Sequence, residues 1–313
     1  MKKLILLGLL TTLAGFGLTQ AFAQQDEDVR GAFLTTRPKA TTKTNNPGPT
    51  TKARRRRPKP ATPDPNPGPV VKKDDKTDAP AKLNLPRLGL GLTLFMRDSN
   101  GLALRTDPSH EFSKGDHVRF LIETNADGYL YVFNTTDNGA PIMLYPDPEL
   151  DEAGNYFQAH VPFEIPSSVA AEERLRWLTF DEHAGAEKLY FVFTREPLAA
   201  VPIEDDLITF CRDNAAKCPW HPASETWAQI QGELNAPVQV AKATRSGSAQ
   251  TSNEHRAVTR GIGLNRDDPE PQLIMLTTST SRSILVAAVD LIHRSGNSVA
   301  NSNNEEQLGG DLP

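Results

Sequence analysis

Beginning near Leu88, apolar and polar positions alternate with a period of two, the signature of strands with distinct faces. Leu88 to Met96 reads as a strand, and Asp98-Ser99-Asn100-Gly101 as the turn that ends it. His117 to Glu123, Tyr129 to Asn134 and Pro141 to Tyr145 read as three more, separated by Asn125-Ala126-Asp127-Gly128 and Asp137-Asn138-Gly139. Connections this short predict hairpins, so the three strands are expected to form an antiparallel meander. Ala159 to Ile165, Leu175 to Phe180 and Lys188 to Thr194 continue the series. The spacing predicts a mainly β fold, an antiparallel β-sandwich or barrel-like domain. Tyr129, Tyr131 and Phe133 alternate with Leu130 and Val132, so both faces are apolar and the strand is expected at the centre of a sheet. The aromatic face is expected to line the core, and Trp177, Trp220 and Trp227 to pack.

From Pro202 the period lengthens. Ile203 to Cys211 has helical spacing, with Glu204, Asp205 and Asp206 in a first turn whose dipole favours acids. Ser224 to Leu234 reads as a second short helix with Ser224 as its cap. Together they form a helical, Cys-containing insertion over 202–235, followed by a polar loop over 241–256. Two β-prone segments, Leu273 to Thr278 and Ile284 to His293, form a strand region over 271–293 that is expected to rejoin the sheet. The β-rich domain is therefore drawn over 88–294, and the Asn/Ser/Gly-rich stretch 295–313 as a disordered tail.

Upstream of Leu88 the pattern is absent. Met1-Lys2-Lys3, an apolar run from Leu4 to Leu18 and Ala21-Phe22-Ala23 read as a signal peptide over 1–23, too short and too diluted by Thr11 and Thr12 for a span of about 20 residues. Export is expected, to the periplasm, the cell envelope or the medium, with no transmembrane helix after cleavage. Residues 24–87 hold eleven prolines from Pro38 to Pro86 and few large apolar side chains, which predicts a disordered Pro-rich basic linker.

Charge sharpens this division. Arg37 to Arg87 contains 14 Lys/Arg against 4 Asp, whereas Leu88 to Pro313 contains 17 against 32 Asp/Glu. The domain should be repelled by nucleic acid and anionic membranes, and the linker attracted. Arg54, Arg55, Arg56 and Arg57 are the candidate residues for electrostatic adhesion to an anionic envelope polymer, to lipid headgroups or to the acidic domain itself. The alternative is a solvated charge run that keeps the linker extended. Export and the absence of aromatic residues from Arg37 to Arg87 argue against nucleic acid.

Cys211 and Cys218 are the only cysteines. On one continuous helix, residues seven apart lie about 10.5 Å apart along the axis, beyond the Cα separation of about 7 Å that a disulfide tolerates. A disulfide, which export favours, therefore requires the helix to end near Asn214 and double back before Pro219. Free thiols, or a metal held with His221, are the alternatives. Asp127, Asp137, Asp147, Asp151 and Glu152 could meet as calcium ligands, although turn chemistry accounts for them without one. No Gly-x-Ser-x-Gly, His-Glu-x-x-His or phosphate-loop motif is present, and the seven His are scattered. No cofactor, metal or catalytic residue is expected.

Phe112-Ser113-Lys114-Gly115-Asp116 opening a strand, then Asp127-Gly128-Tyr129-Leu130-Tyr131, the pair Tyr145-Pro146, and Gly185-Ala186-Glu187 before Leu189 to Phe193 resemble the domain of unknown function 4384 family over roughly residues 88–198. The resemblance implies an exported or envelope-associated bacterial protein with an accessory β domain, and carries no activity. Residues and resemblance together lead to an exported module that binds a protein or an anionic polymer without catalysis. An enzyme of hydrolase type with an unrecognised site, or a structural envelope protein, is the alternative.

Overall fold

Residues 88–97 and 117–124 pair because each presents an apolar row to one side. Leu90, Leu92 and Leu94 face the same interior as Val118, Phe120 and Ile122. The computed structural model describes residues 25–39, 85–148, 154–243 and 245–294. The expected signal peptide, Arg54 to Arg57, Asp151, Glu152 and the tail lie outside the described residues.

The fold is mainly β. The strands are β1 (Gly89–Arg97), β2 (Ala103–Arg105), β3 (Glu111–Phe112), β4 (His117–Thr124), β5 (Gly128–Thr136), β6 (Ile142–Tyr145), β7 (Tyr156–Phe157), β8 (Phe163–Ile165), β9 (Leu178–Thr179), β10 (Gly185–Thr194), β11 (Val238–Lys242), β12 (Leu273–Thr277) and β13 (Ile284–His293). The first sheet runs β11-β12-β1-β4-β8, with β2 beside β1 and β9 beside β4. The second runs β3-β13-β10-β5-β6, with β7 beside β5. Every pairing is antiparallel except that of β13 with β3. Between the sheets lie Leu130 and Val132 of β5, Leu189, Phe191 and Phe193 of β10, and Leu285, Ala287, Val289 and Leu291 of β13.

The meander is only partly realised. β5 and β6 form a hairpin, its turn carried by Asp137 and Asn138 at φ 50° and 57°. The connection from β4 to β5 instead crosses from the first sheet to the second. Asn125 explains the crossing: its Oδ1 accepts from Gly89 N at 2.6 Å and its Nδ2 donates to Arg87 O at 2.9 Å. The side chain thus occupies the start of β1, and Ala126 turns into the core. β4 has one apolar row and β5 has two, and both are satisfied equally by this arch and by a hairpin, so alternation alone could not separate them.

β5 is central, as both apolar faces require, but its aromatic row points away from the inter-sheet core. Tyr129, Tyr131 and Phe133 form a second core with Tyr190 and Val192, closed by α2 (Glu204–Asp213) and α3 (Ser224–Leu234). Trp227 meets Tyr190 and Phe133 edge to face, at centroid distances of 4.8 and 5.8 Å. Ala223, not Ser224, occupies the cap position of α3, without a side-chain cap bond. α2 stops at Asp213, and a short 3-10 turn over Ala215–Lys217 brings Cys218 back to Cys211, Cα to Cα 5.2 Å, in a disulfide.

Further segments differ from the sequence reading. The expected strand Leu175 to Phe180 is reduced to β9 by a 3-10 turn over Glu173–Arg176, and β11 runs into the start of the expected polar loop. α4 (Ser252–Arg260) begins inside that loop and runs past its end, started by a reciprocal capping box between Thr251 and Glu254. Residues 25–39, assigned to the linker, form α1 (residues 25–34) and a short extension, packed on the outer face of the first sheet. The prolines that dominate the linker start only at Pro38, so a helix before them breaks no rule. No helix among the described residues is long and apolar enough to cross a membrane.

Candidate interaction site on the first sheet

Alternation sends Gly89, Gly91 and Thr93 of β1, with Arg119, Leu121 and Glu123 of β4, to the face of the first sheet opposite the core. The two glycines leave a slot in this face, which Phe33 of α1 fills together with Leu276 and Pro271. A Cβ on Gly89 would lie 2.8 Å from Phe33 Cδ2, and one on Gly91 3.2 Å from Phe33 Cζ. Phe33 and Val29, one helical turn apart, are fully buried against Ala241, Ile274 and Leu276. Burial of the two is worth about 1.5–3 kcal/mol each.

Past the end of α1, Arg37 is inserted beside the sheet with 1% of its surface exposed. Each of its five N–H donors faces an acceptor. Nε and Nη2 hold Glu123 in a bidentate pair at 2.8 and 2.6 Å. Nη1 reaches Asn265 O at 3.2 Å and Asp268 O at 2.9 Å, and Nη2 reaches Pro269 O at 3.1 Å. Only a guanidinium matches such a set; an ammonium has three donors and no fixed plane.

Glu123 Oε1 also accepts from His160 Nδ1 at 2.7 Å, while His160 Nε2 shares a hydrogen bond with Thr36 Oγ1 at 2.8 Å. The backbone of the segment is held too. Arg266 donates to Arg37 O at 3.0 Å and also to Thr35 O, and Arg30 pairs with Glu270 at 3.0 Å and donates to Lys242 O. Arg266 at the carboxyl end of α1 suits the partial negative charge there.

Hydroxyl, imidazole and carboxylate in series have the layout of a nucleophile, its base and the group that orients the base. Thr36 Oγ1, however, also lies 2.5 Å from Phe33 O, a backbone carbonyl that competes with the imidazole for the one proton of the hydroxyl. Glu123 is already neutralised by the bidentate Arg37. The series therefore fastens the segment to the sheet.

Two further buried pairs lie on this face. Arg105 pairs with Glu254 of α4, both side chains 2% exposed, and so docks that helix. Arg119 stacks on Trp177 at 4.1 Å and faces Glu164, whose Oε1 accepts from Gln250 at 2.6 Å. Burial pulls the Arg119 guanidinium below its ordinary pKa, against the opposing pull of Glu164.

The candidates from sequence fall elsewhere. Cys211 and Cys218 are joined to each other, on the far side of the second sheet, and so are unavailable as thiolate ligands; His221 faces Pro141 O at 3.1 Å. Asp127 accepts from Tyr156 and Ala159 N, and Asp137 from Ala186 N, so both brace loops. Sequence reasoning missed Phe33, Arg37, Glu123 and His160. For the segment a signal existed: Asp26-Glu27-Asp28 in a first turn, Val29 and Phe33 four apart, and Pro38 as a stop. For Glu123 and His160 none did, since their neighbour in space is 86 or more residues away in sequence.

Fold and site define a two-sheet β-sandwich with a helical layer on each outer face, one of which grips a distant segment of its own chain. Residues 111–197, β3 through β10, match the family model described as domain of unknown function (DUF4384). Glu123 and His160 lie within the matched part, whereas α1, β1, β11 and the 265–269 loop lie outside it. No curated protein and no solved structure matches the chain.

Proposed function

We propose that this protein is an exported accessory module that binds a protein or anionic-polymer partner of the cell envelope without catalysis. The observation that carries this reading is the outer face of the first sheet, shaped to take a helical segment by an aromatic slot and a buried guanidinium site. Helix-in-groove recognition uses the same elements, apolar anchors one turn apart and a polar anchor beyond them. Within the site Glu123 meets the guanidinium of the segment, whereas Glu164 and Glu254 face arginines of the sheet itself and hold its frame. The signal-like start and the disulfide support export. The basic run Arg54 to Arg57 would add adhesion to anionic polymer or lipid headgroups, screened by salt.

The test is a pull-down from envelope extracts with the full chain and, in parallel, with Glu123→Arg, both first checked for native β circular dichroism. Partners held by this face are expected with the first and not the second. Identical captured sets, or hydrolysis of ester, peptide or glycoside probes abolished by His160→Ala, would contradict the reading, the second result in favour of an enzyme.

A further inference from the structure

We propose that the groove on the first sheet is an exchangeable receptor, and that its occupant in trans is the N-terminal segment of a second copy of this chain. The inference rests on the reading of this face as a binding surface and names the partner.

The site selects its ligand sharply. An occupant without a guanidinium at the position of Arg37 leaves Glu123, 2% exposed, with a buried charge and three carbonyls without their donor. An occupant without an aromatic ring leaves unfilled the part of the slot that Phe33 takes beside Pro271 and Leu276. Val-x3-Phe-x3-Arg occurs once in the chain, at Val29, Phe33 and Arg37, and every other copy carries the same three residues. Self is therefore the one partner known to satisfy all the contacts.

The connection permits exchange. Residues 40–84 separate the segment from the start of the domain, a contour of about 150 Å when extended. A folded body of about 200 residues has a radius of gyration near 17 Å. The segment can therefore reach its own groove or a neighbour's with identical contacts. The balance is set by effective concentration, which falls as the connection lengthens. Crowding of copies on one surface shifts it toward the intermolecular form. Exchange of an identical element is a low-cost route to dimers.

Two experiments on the full chain test this. First, copies made with ordinary and heavy isotopes are mixed from 10 µM to 1 mM and read by native mass spectrometry. Mixed-mass dimers are expected to grow with concentration and to disappear with Arg37→Glu. Monomers throughout, or mixed dimers unaffected by Arg37→Glu, would overturn the proposal. Second, a protease site is placed within residues 40–84 and cut, and a labelled peptide of residues 24–39 is added. The peptide is expected to exchange into the groove, and its Arg37→Glu form to bind at least about 100-fold more weakly, as loss of one partner of a buried pair implies. A peptide that binds while the chains stay monomeric would overturn exchange but leave the binding surface standing. Absence of peptide binding would remove both.

Discussion

Arg37 and Glu123 fasten the N-terminal segment to the first sheet, because each is buried and each is the other's main counter-charge. Their net worth over an apolar pair is small, since both are stripped of water, but removing one is expensive. Arg37→Ala is expected to lower the free energy of unfolding by about 3 kcal/mol, limited by the point at which residues 25–39 leave the sheet altogether; urea denaturation reads it. Arg37→Lys should recover only part of the loss, because three donors cannot meet five acceptors.

Tyr131 supplies a pH test at the same scale. Burial pushes its hydroxyl above the ordinary tyrosine value, even though Leu198 N donates to it at 3.0 Å. The native state then keeps a proton that the unfolded chain releases. The stabilising contribution is complete below pH of about 10 and is lost as pH climbs through the raised native value. The free energy of unfolding should therefore fall more steeply above pH of about 10 for the natural chain than for Tyr131→Phe. Equal slopes would remove this assignment.

Among the elements, the helical insertion shows what a single staple does. Cys211 in α2 and Cys218 before α3 are joined across a sequence separation of 7, so the stabilisation expected from chain entropy is about 2 kcal/mol, confined to that layer. Replacing both by Ala should lower the thermal midpoint and loosen α2 and α3 in hydrogen exchange, with β4 and β10 unchanged. Reduction by thiol should do the same. Loss of protection throughout both sheets would contradict this local role.

The elements also mark how far the sequence was legible. β1, β4, β5, β10, β12 and β13 could be read because their alternation reflects a core that one strand senses by itself. The arch between β4 and β5 could not, because it depends on Asn125 reaching Arg87 and Gly89. α4 carried a legible capping box, Thr251-x-x-Glu254, overshadowed by the polar composition around it. α1 had an acidic first turn, two anchors and a proline stop, but its stability comes from Phe33 meeting two glycines some 56 residues along the chain, which no local window contains. Of the candidate site, the Glu123 and Arg37 pairing was wholly hidden for the same reason.

At the scale of the whole molecule, charge separates the chain into a basic stretch around Arg54 to Arg57 and an acidic domain. Retention of the full chain on envelope preparations is expected to weaken with salt, and to drop when Arg54 to Arg57 become Ala. Retention indifferent to both would take adhesion out of the proposed function. Everything else depends on residues 25–39 being part of the folded body. Hydrogen–deuterium exchange on the full chain measures that most directly. Amides of residues 29 to 34 are expected to be protected to a degree approaching β1, and to lose that protection in Phe33→Ala. Exchange of residues 25–39 at the rate of an unstructured peptide in the natural chain would contradict the account.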